Sequence, residues 1–259
     1  MNFAYWDFAP SVVIGTILLV IGYWFFTGPL RRHYRWGPQV SPLQQLSFYL
    51  GTLCMFLALV GPLDGIGDEQ LFSAHMAQHM LLSFVAPPLW VIGTPEWLIR
   101  RMMPAGSLAW MVNPLNAFLL FNGVMWIWHV PALFDAALSH EWLHIVEHLL
   151  FMAAGVIGWL PVLKSSLSDR MTPLVKLVYL FPSMLSCTAL AALITLSSRP
   201  LYSFYGNASL GWALTPLTDQ QLGGALMWLP GDMVYMVLIV WAFKLLLDQT
   251  SEEGQQVNA

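Results

Sequence analysis

Charge is what this sequence most lacks. Of 259 residues, 9% are Asp, Glu, Lys or Arg and 58% are hydrophobic. A soluble domain carries about 25% charged residues. So little charge cannot cover a water-facing surface, which makes this an integral membrane chain. Ten basic residues, with no basic patch among them, exclude a nucleic-acid-binding face. Cysteine is nearly absent too. Cys54 and Cys187 lie in different apolar runs, and no CxxC spacing exists. Nothing therefore suggests thioredoxin-like or zinc-ribbon chemistry, and the two thiols read first as small packing residues, with soft metal ligands as the lesser alternative. No low-complexity tract occurs. Only DQTSEEGQQVNA at the end is polar enough to read as a short disordered tail. No basic segment precedes the first apolar run and no small-residue cleavage motif follows it, so that run reads as an anchor.

What the chain has in quantity is apolar runs of about 20 residues, the length that spans a bilayer as helix. Seven are visible: Ala9 to Thr27, Leu43 to Val60, Leu71 to Ile92, Asn113 to Pro131, Trp142 to Leu163, Pro173 to Leu196 and Gly223 to Leu247. The expected fold is all-α, a single seven-helix membrane domain over residues 1–247 with a cytoplasmic tail at 248–259. Pro87-Pro88 should kink or unwind the third span, and Pro182 and Pro230 the sixth and seventh. Arg31, Arg32, Arg35, Arg100, Arg101, Lys164, Arg170, Lys176 and Lys244 all fall on one side of a seven-span chain, and only Arg199 on the other. The positive-inside rule then puts the N-terminus outside and the C-terminus in the cytoplasm. The outer segments carry Asp64, Asp68, Glu69, Asp135, Glu141 and Asp219.

The histidines follow this topology. His33 lies in the basic inner loop; the other six of the seven lie in the outer half. The stretch AHMAQHMLL puts His75 and His79 roughly 6 and 12 Å below the outer end of span three. His144 and His148 lie at similar depth on span five, His129 near the outer end of span four, and His140 between those two spans. Residues four apart share a helix face, so His75 pairs with His79 and His144 with His148. Met76 and Met80 form a second stripe about 100° round the helix. Span seven adds Met227, Asp232, Met233 and Met236. Polar groups at this depth face a bundle interior or a wet cavity. One such histidine is readily explained as a bonded structural residue. Six at one level on three helices suggest a site. Glu147, between His144 and His148, can orient an imidazole or carry a proton.

Three chemistries use such a layer. Imidazole with thioether suits copper, Cu(I) above all. The string His144-Ile-Val-Glu147-His148 fits the H-x-x-E-H zinc pattern, with His79 or Asp219 as third ligand and Glu147 as general base of a membrane hydrolase. His79 and His148 on facing helices can also hold one haem b.

Four strings occur in order: HMAQHMLLSFVAPPLWVIGTP, WIWHVPALFDAAL, HIVEHLLFMAAGVIGWLPVL and LTPLTDQQLGGALMWLPGD. Together they resemble the CtaG family of multi-pass bacterial cytochrome c oxidase assembly factors, over roughly Leu43 to Leu247. The resemblance implies a plasma-membrane protein, not an enzyme, that supplies copper to oxidase subunits and is loaded by an extracytoplasmic copper donor. The positions carried over are His75, His79, His129, His144, Glu147, His148, Asp219, Gln220 and Gln221. Pro-Gly-Asp at 230–232 departs from the expected Pro-Gly-Gly and puts the carboxyl of Asp232 inside span seven. On this reading His75, His79, His144 and His148 are core copper ligands. His129, Met76, Met80 and Met227 are further candidates, and Glu147, Asp219, Gln220 and Asp232 are groups that orient the ligands or line the way in. The aromatic segment from Arg199 to Leu222 should cover the site or form a docking surface.

Overall fold

The computed structural model describes residues 6, 8–167, 171–206 and 208–257, with side chains as far as Ser251. Besides two short 3-10 turns, eleven helices occur in order among the described residues: α1 Pro10–Tyr34, α2 Pro42–Val60, α3 Pro62–Glu69, α4 Phe72–Gly93, α5 Glu96–Met102, α6 Ala105–Met111, α7 Pro114–Trp128, α8 Pro131–Ser139, α9 Glu141–Leu163, α10 Pro173–Thr195 and α11 Pro216–Val257. No strand occurs among the described residues.

Proline sets most of the boundaries. It is the first residue of α1, α2, α3, α7, α8, α10 and α11, where its missing N–H costs nothing and its fixed φ suits the helix. Side-chain caps add to this. Ser41 and Gln44 form a reciprocal capping box on α2, and Asn113 and Thr172 cap α7 and α10.

Six helices (α1, α2, α4, α9, α10 and α11) are long and apolar enough to cross a membrane. The expected fourth span is different. α7 has 15 residues, about 22 Å of helix against a hydrocarbon core of about 30 Å. It forms a seventh crossing only together with α6, to which it is bent by 66°. The seventh expected span also starts early. α11 begins at Pro216, so Asp219 lies in its first turn and Gln220 directly after it, not in a loop. The same helix runs to Val257, so the tail expected to be disordered is helical through that residue.

α4, α7, α9, α10 and α11 build the core. α4 and α9 run parallel: His75 lies beside His144 and His148, His79 beside Phe151, and Ser83 beside Trp159. α7 runs antiparallel to α9, with His129 near Phe151 and Phe121 against Gly158. The α4–α9 register follows from a proline. Pro87 has no N–H for the Ser83 carbonyl, and α4 loosens into a wider π turn over Leu81–Val85. The Trp159 indole N–H donates to that carbonyl at 3.0 Å. Gly155 permits the approach, since a Cβ there would sit 2.7 Å from the Pro87 ring. By contrast, α10 and α11 continue as helix through Pro182 and Pro230, so of the kink or unwinding expected there, unwinding does not occur.

Arg100, Arg101 and Lys164 gather at the end away from the clustered histidines of α4, α7 and α9. Arg101 lies over Trp36 at 5.1 Å, Arg100 reaches the Ser166 carbonyl and Lys164 the Ile92 carbonyl. Glu96 accepts from the Ser166 hydroxyl in the same cluster. Arg170, counted above with the basic residues, lies outside the described residues.

Candidate metal centre

At the opposite end, α4, α7 and α9 bring five imidazoles together. Ring centroids lie 4.1 Å apart for His75–His79 and for His144–His148, 5.3 Å for His75–His144, 5.9 Å for His75–His148, 5.5 Å for His79–His148 and 5.9 Å for His79–His129. His75, His79, His129 and His148 are buried, and His144 retains 14% exposure. Glu147 is fully buried, its Oε1 3.7 Å from His79 Nε2.

The hydrogen-bond inventory of this cluster is unusual. Buried polar atoms are normally paired, because an unpaired one costs the full desolvation of that group. Here both ring nitrogens of His75 and of His79, Nε2 of His129, His144 and His148, and both carboxyl oxygens of Glu147 are buried without a hydrogen-bond partner. His129 shows the arrangement at one ring. Its Nδ1 lies 2.6 Å from the Met125 carbonyl, which accepts the ring proton and leaves the Nε2 lone pair directed inward. Two groups of donor atoms lie within 4.8 Å of one another: His75, His144 and His148, and His75, His79 and Glu147. Bonds of about 2.0 Å to a shared ion would put such donors about 3.4 Å apart. The donor set therefore fits a borderline metal ion in two overlapping ways.

Asp68 takes part as well, a role the sequence reading left among general outer acids. Its two oxygens lie 3.6 Å from His75 Nδ1 and 3.5 Å from His144 Nδ1. It arrives on α3, held against α4 where Gly67 meets the His75 backbone: a Cβ on Gly67 would lie 2.9 Å from His75 N. Asp64 and Asp68 are one turn apart, and Asp64 accepts from Gln78 of α4 at 2.6 Å. That i, i+4 acidic pair, just ahead of the histidine helix, was the available signal.

The aromatic segment does cover the site. Tyr202 donates to the His129 carbonyl at 3.1 Å and stacks on Phe72. Phe134 lies edge-on to His75 and tilts against Tyr202. Tyr205 donates to the Gly67 carbonyl at 2.7 Å. Burial first, then the carboxyls of Asp68 and Asp219, push the Tyr205 phenol well above its ordinary pKa and keep it a donor. Asp135 holds the segment down, accepting from Ser203 N at 3.0 Å and Phe204 N at 3.2 Å.

Several candidates fall elsewhere. Asp219 is not at the imidazoles: its oxygens accept from Phe72 N at 2.8 Å and Ser73 N at 3.1 Å, capping the first turn of α4 from another helix. Gln220 ties the outer segment, accepting from Leu201 N and donating to the Ile194 carbonyl. Asp232 accepts from Thr188 of α10 at 2.8 Å, a contact between α10 and α11. Met76 meets Gly223 and Met80 approaches Gly231, so the methionine stripe faces α11, and Met227 lies in the same apolar core. His140 stays exposed, its Nδ1 3.0 Å from the Ala136 carbonyl.

The chain is 27% identical to the uncharacterized protein Mb0105 of Mycobacterium bovis and 26% identical to the uncharacterized protein ML1998 of Mycobacterium leprae. Each alignment covers 92% of this chain and 39% of the relative, so this chain corresponds to well under half of those longer proteins. No solved structure matches. The family described as cytochrome c oxidase caa3 assembly factor (Caa3_CtaG) matches residues 21–249. With most of its length, the histidine helices included, inside that match, the chain belongs to the caa3 cytochrome c oxidase assembly factor family.

Proposed function

We propose that this chain is a copper-handling assembly factor of a bacterial plasma membrane. It holds Cu(I) among His75, His79, His144, His148 and Glu147, with His129 beside them, and yields it to the copper-requiring subunits of the oxidase. The observation that carries the reading is the set of buried imidazole nitrogens without hydrogen-bond partners, converging from three helices. In a bilayer such nitrogens are costly unless something binds them. Imidazole suits copper, and family membership connects the chain with an enzyme whose assembly requires that metal. The basic end faces the cytoplasm and the histidine end outward by the positive-inside rule. An extracytoplasmic donor then loads the site past Asp68 and His144, its partly exposed rim, with the outer acids attracting cations. The methionines serve as packing for α11, and Asp219 holds α4 in place.

A membrane zinc hydrolase is the second reading, favoured by one observation: His75 completes a three-imidazole group with His144 and His148, and Glu147 is adjacent. A catalytic zinc also needs an open position for water, and the pinned aromatic cover weighs against one. A haem between His79 and His148 is opposed by crowding, since the rings of His75 and Phe151 lie 4.1 and 4.4 Å from that of His79.

The test is elemental and spectral analysis of the detergent-purified protein, with oxidase activity of a deletion strain at limiting copper. Bound copper without a Soret band, and lowered oxidase activity restored by added copper, are expected. Absence of copper binding, or normal oxidase in the deletion strain, would overturn the reading.

A further inference from the structure

We infer that the centre is two overlapping three-donor sites sharing His75, and that a single Cu(I) ion passes between them by ligand exchange. This rests on the copper reading above and adds how the ion is held and moved.

The two groups differ in exposure. Beyond the shared His75, His79 and Glu147 are 1% and 0% exposed, whereas His148 is 6% and His144 14% exposed, with the 31% exposed Asp68 beside His144. One group is therefore a deep site, His75–His79–Glu147, and the other a rim site, His75–His144–His148. Each provides a carboxyl to balance the charge of the ion: Glu147 within the deep group, Asp68 beside the rim group. That matters where hydrocarbon penalises an isolated charge. A neutral imidazole has one nitrogen lone pair, so His75 serves one ion at a time. Two ions held at once would require it to bridge as an anion. His75 thus sets the occupancy at one and is the pivot of the transfer.

The exchange balances simply. Moving outward, bonds from the ion to His79 and the Glu147 carboxylate break as bonds to His144 and His148 form, the bond to His75 is kept or exchanged last, and Glu147 takes up one proton from the water at the Asp68 side in place of the ion. No electron moves, so copper stays Cu(I) throughout. Three donors hold the ion at each stop. The covering residues Phe134 and Tyr202 lie next to His75 and the His129 backbone, keeping water from the pivot while leaving the Asp68 side as the way out.

The experiment loads purified protein with Cu(I) under anaerobic conditions and counts bound copper. It then follows release to a soluble Cu(I) chelator. One copper per wild-type chain is expected. Glu147→Gln, and separately His79→Ala, should still hold one copper and release it faster, because only the rim site remains. The double variant His144→Ala/His148→Ala should also hold one, with release slowed roughly tenfold for want of the rim stop. His75→Ala, and His75→Gln as its milder counterpart, should weaken retention roughly a hundredfold by removing a donor from both sites. Two coppers per wild-type chain, full retention without His75, or complete loss in the double variant would each overturn the inference. The wild-type stoichiometry does so irrespective of how any variant folds. Wild-type protein that binds no copper at all would instead overturn the copper reading on which it rests.

Discussion

Asp219 and Glu147 are both buried carboxyls at the histidine end of the bundle, 1% and 0% exposed, and their surroundings could hardly differ more. Asp219 accepts two backbone N–H groups at the start of α4. Neither oxygen of Glu147 has a hydrogen-bond partner. The same contrast separates Gln220, bonded at both ends of its amide, from the imidazoles of His75 and His79, bonded at neither. Paired polar groups here are scaffold, because their bonds offset their desolvation. Unpaired ones carry that cost in the resting fold, as a binding site must if its donors are to be ready for a ligand.

Substitutions can break or sharpen that contrast. The largest effect belongs to the scaffold contact that sets the register of α4 and α9. Gly155→Leu should force the Pro87 ring and the Ser83 carbonyl away, destabilise the metal-free protein by about 3 kcal/mol and abolish copper binding, as read by thermal unfolding in detergent and copper content. Asp219→Ala comes next. Leaving two N–H groups of α4 without their cap should cost about 2 kcal/mol, with copper still bound by whatever protein remains folded. Glu147→Gln should behave in the opposite sense. The metal-free protein should melt within about 1 kcal/mol of wild type, while its copper chemistry changes. If Asp219→Ala left the melting temperature alone and Glu147→Gln lowered it sharply, the assignment of scaffold and site would be reversed. Met76→Leu should have the smallest effect, under about 1.5 kcal/mol with copper content unchanged, because its side chain meets Gly223 rather than the imidazoles.

The four-residue spacing within AHMAQH and HIVEH, together with the alternation of spans, was enough to place the histidines at one level. These are local signals. What stayed hidden depended on contacts distant in sequence. Asp219 caps a helix 147 residues before it, and nothing in TPLTDQQ announces that partner. The direction of the methionine stripe was hidden for the same reason: a 100° offset states that two faces differ, and the parallel packing of α4 on α11 decides which one meets which. The short α7 was masked because its apolar run reads on through Val130 and Pro131, while the helix ends at Trp128 and turns into α8. Pro87 unwound its helix as expected, whereas Pro182 and Pro230 did not. Position in a helix does not foretell whether the chain around a proline will loosen.

The most direct test of the imidazole site is copper K-edge X-ray absorption on the purified, Cu(I)-loaded protein. The expected result is a nitrogen and oxygen shell with the outer scattering of imidazole and no sulfur. A sulfur shell, which would bring Met76, Met80 or Met227 to the metal, or a spectrum without imidazole scattering would contradict it.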